Sequence, residues 1–187
     1  MSGPAWPETR RALAGTLLLA RGDARGLGCF DASIGGFWRS FRAGAICYPF
    51  YLGLTLSRLG AANASLRAVL IETIGYVVSW TAFPLIVLSL CRRLDRDDHF
   101  LGFMTAYNWC QVPQIVLFSA IALAEAAGLL TSPVAAGAGL AAAAAVLVYE
   151  WFVARVALDV AAGAAALVVA VDLLLAAVMR QVDESLY

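Results

Sequence analysis

The chain has 187 residues, of which 62% are hydrophobic and 14% charged, with a formal net charge of zero and a mean hydropathy of +0.81. Soluble domains carry about 25% charged residues, so this chain is short of charge where a water-facing surface would need it. Zero net charge with no clustered basic face gives no footing for nucleic-acid binding. All thirteen basic residues are arginine. That usage points to a GC-rich bacterial source, and with it to an inner (plasma) membrane location.

Residues 1–36 hold Pro4, Pro7 and several charges, among them Glu8, Arg10, Arg11, Asp23 and Asp31. Leu13, Leu17 and Ala20 recur at near-helical spacing, which predicts a short amphipathic helix in the headgroup layer. The apolar run from Ala12 to Ala20 is too short to span and lacks a good cleavage site, so an uncleaved interfacial helix is expected. Gly26, Gly28, Gly35 and Gly36 break the pattern before the first crossing.

Hydropathy then divides residues 37–180 into five spans at about 41–57, 68–90, 100–123, 134–154 and 160–179, each near the roughly 20 residues a bilayer needs. Phe37-Trp38-Arg39 forms an interfacial anchor ahead of the first. Gly60 and Asn63 lie in the first link, where Asn63-Ala64-Ser65 matches a glycosylation sequon of little weight in a bacterial chain. The second span carries Glu72 near its start. Arg92 to His99 is the one dense charge run. It offers oxygen and nitrogen ligands but no calcium-loop spacing, so a solvated, self-paired run is expected rather than a metal site. Residues 181–187 read as a short polar tail.

The fourth and fifth spans form a tight hairpin rich in small residues. Gly137 and Ala141, Gly139 and Ala143, and Ala162 and Ala166 sit four apart, the spacing that lets helix backbones approach closely in lipid. At its turn, Glu150, Arg155 and Asp159 are expected to form an interfacial ion-pair cluster, with Arg155 and Asp159 sharing a helix face. Tyr149, Trp151 and Phe152 suit the aromatic belt at that depth.

Asp172 lies about a dozen residues into the last span, close to mid-bilayer. A charged Asp there costs on the order of 2.5–3.5 kcal/mol, so it must face protein or water. Pro49, Pro84 and Pro113 each remove a backbone hydrogen bond from a span. Asn108, Gln111 and Gln114 surround Pro113 with donors and acceptors, which makes that region the expected polar cavity. Asp172, Asn108, Gln111, Gln114 and Glu72 are therefore the transport or cavity candidates, since broken helices expose such groups at transport sites.

Cys29, Cys47, Cys91 and Cys110 show no metal or redox spacing. One histidine, no nucleophile elbow and no phosphate-binding loop leave no enzyme constellation, and no cofactor or metal is expected. Loops on the amino-terminal side carry Arg10, Arg11, Arg21, Arg25, Arg39, Arg42, Arg92, Arg93, Arg96 and Arg155. The other side carries only Arg58, Arg67 and Arg180. The positive-inside rule then puts the amino terminus in the cytoplasm and the carboxyl terminus outside.

The expected architecture is all-α: a polytopic integral membrane protein of five transmembrane helices with an amino-terminal interfacial helix. Its partners are the lipid bilayer and other membrane subunits or further copies of itself. The expected role is an accessory, scaffolding or assembly subunit acting through lateral helix contacts. The alternative is a small transporter or channel using Asp172 and the Pro-kinked polar helix.

Overall fold

A computed structural model of the chain describes residues 5–60 and 65–186. Asn63 and Ala64 of the sequon lie outside those residues. The described chain is helical: α1 (Ala5–Ala20), α2 (Ile34–Leu59), α3 (Leu66–Arg93), α4 (Phe100–Ala126), α5 (Ser132–Ala157) and α6 (Ala162–Ser185), with a short 3-10 turn at Ala24–Cys29. Local chemistry sets several ends. The Ser33 hydroxyl accepts from the Gly36 amide to open α2, and that of Ser65 accepts from the Ala68 amide to open α3. Pro133 sits in the first turn of α5, where its missing N–H is no loss.

Four helical stretches are long and apolar enough to cross a membrane: Leu66–Arg93, Asp97–Ala126, Ser132–Ala157 and Ala162–Asp183. The 26-residue α2 has the length, but Arg39, Arg42 and Arg58 dilute its apolar stretch. The outward faces are rich in large apolar side chains such as Leu70, Ile74, Leu85, Leu140 and Leu174. Contiguous apolar surface of this kind belongs against lipid or protein rather than water.

α4 is the hub, packing against α1, α2 and α5, while α6 lies against α5 and α3. Phe103 to Cys110 are all buried, so this half of α4 is shut in on every side. The ends of the helices are tied across the bundle. Arg96, in the α3–α4 link, donates from its Nε to the Asp159 carbonyl in the α5–α6 turn at 3.1 Å, which puts both links at the same end.

Three expectations change shape here. α1 docks through Ala12, Gly15, Thr16 and Leu19, whereas Leu17 is 54% exposed and Ala20 faces outward. Of the residues chosen by hydropathy, Leu13 packs half-buried against the core, while Leu17 and Ala20 miss the packed face, which runs through the small Gly15 and the polar Thr16. At Gly15 an added Cβ would meet Cys29 Cβ at 2.7 Å, so glycine allows the 3-10 turn to fold back onto α1. Second, α6 runs on to Ser185, so most of the expected polar tail is helix. Third, α2, α3 and α4 continue unbroken through Pro49, Pro84 and Pro113. Each loses one bond and keeps its path, as prolines in packed spans commonly do.

Candidate functional site

Asp172 is ten residues beyond the start of α6, Glu150 seven before the end of α5, and Asn108 eight beyond the start of α4. At 1.5 Å per residue all three lie roughly 10–15 Å in from the same end of the bundle. They form one polar layer inside an apolar body.

A cavity of about 150 Å³ opens in that layer, lined by Ser79, Trp80, Phe83 and Pro84 of α3, Tyr107, Asn108 and Gln111 of α4, and Asp172 of α6. At about 30 Å³ each it has room for a few waters. Asp172 lies beside the Tyr107 hydroxyl. Glu150 sits behind it, close enough to interact with Asp172 and with the amides of Gln111 and Gln114. Asn108 donates from Nδ2 to the Ser40 hydroxyl of α2 at 2.8 Å, and Ser40 in turn donates to the Phe37 carbonyl. The Gln114 side-chain nitrogen is buried beside Glu150 but makes no hydrogen bond of good geometry among the described residues.

The arrangement brings together Asp172, Asn108 and Gln111 of the expected cavity and places Gln114 next to Glu150. It does so beside Pro84 rather than Pro113. Glu72 stands apart. It is buried where α3 begins, accepting from the Tyr51 hydroxyl at 2.6 Å, and the nearby Asp183 carboxylate packs against Gly75, where an added Cβ would come within 2.8 Å. Arg67 donates to the Leu186 carbonyl at 2.8 Å, tying α3 to the end of α6.

The grouping of Glu150, Arg155 and Asp159 does not form. α5 ends at Ala157, and Asp159 turns through a φ of 50°, so it does not share a helical face with Arg155. Among the described residues no ion pair joins them; Arg155 instead covers the Trp151 ring at 5.4 Å. Trp151 donates to the Ala162 carbonyl at 3.0 Å and fastens the hairpin. Glu150 is only 6% exposed and belongs to the polar layer. It shares the inward face of α5 with Val153, Ala154 and Ala157, a face that the surrounding apolar residues on every side of the helix leave unmarked in the sequence.

The hairpin's small residues mostly face outward. Gly137, Ala141, Ala162 and Ala166 are exposed, and Gly139 and Ala143 half-buried. The buried residues of the two helices are instead Val153 and Ala154 of α5 and Ala165 and Val168 of α6, which belong to the common core.

Charges outside the spans pair closely. Arg39 bridges Glu8 of α1 at 2.8 Å and also reaches Asp31. Hydrogen bonds from Ser33, with Arg39 nearby, hold the Asp31 carboxyl below its ordinary value. In the charge run, Asp98 pairs with the His99 ring at 2.9 Å, which lowers the Asp98 carboxyl likewise. No group of three or more His, Cys, Asp or Glu suited to a metal occurs among the described residues. All four cysteines are free thiols.

Fold and site together define an all-helical chain with four helices fit to cross a membrane and, among them, a pair of acids of which Glu150 is buried and Asp172 half-buried. No protein-family model, curated protein or solved structure matches this chain.

Proposed function

We propose that the chain is a small multi-pass transporter or channel that carries a proton or small cation through the Asp172–Glu150 layer. The observation that carries this reading is the cavity itself: one carboxyl, Asp172, lines it beside a phenol and two amides deep in an apolar bundle, with the buried Glu150 carboxyl near enough to interact with Asp172. Ionisable groups at that depth are costly, and in membrane proteins they mark ion paths or proton relays.

In this reading α2 crosses as well, which makes five spans. The α3–α4 link with its arginines and the α5–α6 turn beside Arg155 face the cytoplasm, and the carboxyl terminus lies outside, in an inner (plasma) membrane. Purified protein reconstituted in vesicles with an internal pH dye tests the role. Wild type should dissipate an imposed proton or cation gradient, and Asp172→Asn should fall to the level of protein-free vesicles while keeping its helical content. Undiminished flux in Asp172→Asn would remove the acid layer from transport.

A second reading, an accessory or scaffolding subunit working through lateral helix contacts, is favoured by the outward-facing Gly137–Ala141 and Ala162–Ala166 pairs. Such faces suit close helix docking by another subunit or a second copy.

A further inference from the structure

At the opposite end of the bundle from the acid layer, α2, α4 and α5 diverge around a groove of about 850 Å³. Its walls are mainly apolar: Phe50 and Leu54 of α2, Phe118 and Ala122 of α4, Ala135 and Gly139 of α5. At its mouth stand one cation, Arg58, and one anion, Glu125. Among the described residues, the two form no ion pair with each other, and no hydrogen bond or ion pair engages either side chain. Ser119 lies deeper on the α4 wall, 7% exposed, with a hydroxyl that finds no partner.

We propose that this groove holds one phospholipid with an amine-bearing zwitterionic head group of the phosphoethanolamine type. The claim rests on α2 lying in the bilayer, as in the five-span reading, and is independent of any flux through Asp172. Length supports it. From Pro49 to Arg58 the groove follows nine residues of α2, roughly 13 Å, close to the hydrocarbon depth of one leaflet at about half of 30 Å. Charge supports it too. A head group that carries a phosphate next to a primary ammonium offers Arg58 an anion and Glu125 a three-donor cation, pairing both otherwise unpartnered charges. A glycerol ester carbonyl would supply the acceptor Ser119 lacks. Space is kept by Gly53 and Gly139, where an added Cβ would meet nothing within 4 Å.

Native mass spectrometry of the full chain in detergent, titrated with phosphatidylethanolamine, phosphatidylcholine or phosphatidylglycerol, tests this. One bound phosphatidylethanolamine is expected, with weaker retention of the other two. Phosphatidylcholine gives Glu125 no N–H donor, and phosphatidylglycerol gives it no cation. Gly53→Trp and, separately, Gly139→Leu should fill the groove and remove the adduct, whereas Glu125→Gln should erase the preference for phosphatidylethanolamine over phosphatidylcholine. Asp172→Asn should keep the adduct whatever it does to flux, which separates this proposal from the transport reading. Equal binding of all three lipids would overturn the proposal. So would an adduct that persists in a Gly53→Trp or Gly139→Leu protein with wild-type thermal unfolding. A protein dimer that either substitution dissolves, in place of a lipid adduct, would assign the groove to a second copy and overturn it as well.

Discussion

Asn108 donates to the Ser40 hydroxyl at 2.8 Å, a direct side-chain hydrogen bond between α4 and α2 in the buried interior. In a low-dielectric body such a pair matters chiefly through what its loss leaves behind. Ser40→Ala strips the Asn108 amide of its acceptor, and an unsatisfied buried donor costs about 1–3 kcal/mol. Denaturant unfolding in a fixed detergent should show a loss of that size, and an unchanged midpoint would mean water replaces the hydroxyl. Asp31 is informative in another way, because its carboxyl is held below the ordinary 3.8 by Ser33 and Arg39. A depressed carboxyl stabilises the fold above its unfolded value and loses that contribution as pH falls through the folded one. The 21–33 segment should therefore open to an acid-active protease only below about pH 3.8, and Asp31→Asn should open it at higher pH; indifference to the substitution would contradict the clasp. Depth and cost single out Asp172 from sequence alone. Glu150 is harder to place, since aromatic neighbours make it look interfacial, and only the direction of its side chain shows that it points inward.

Among the elements, the length and apolarity of α3 to α6 were plain in the sequence, with ends within a few residues of those expected. Helix ends were less legible where polar residues continue a helix, as in Gln181 to Ser185 of α6. α1 shows the limit of hydropathy patterns: its packed face is Ala12, Gly15, Thr16 and Leu19, selected by fit against α4, α5 and the following 3-10 turn. Tyr149 reaches across to donate to the Thr16 carbonyl at 3.1 Å, a contact 133 residues apart that no local signal announces. Proline positions likewise said where a bond is lost and nothing about where space opens. The cavity forms beside Pro84 because α6 brings Asp172 there, and Pro113 merely passes through a packed helix. The small-residue pairs on the hairpin had correct spacing and an unknowable direction. Sequence gives a face; only packing says what the face meets.

On the scale of the molecule, a polar cavity and a mainly apolar groove sit at different depths of one apolar body. The acid layer lies toward the end where Arg96 joins the α5–α6 turn, and the lipid-sized groove toward the other. Such a division has meaning only if the helices cross lipid, so that the two regions face different leaflets. Everything rests on α4 having its ends on opposite sides of a bilayer. Single cysteines in a protein whose four native cysteines are replaced, one at Asp98 and one at Leu129, measure this directly with a membrane-impermeant maleimide on sealed vesicles of uniform orientation. The account predicts that only one of the two sites reacts in intact vesicles and that the other reacts after permeabilisation. Reaction of both sites in intact vesicles would contradict it.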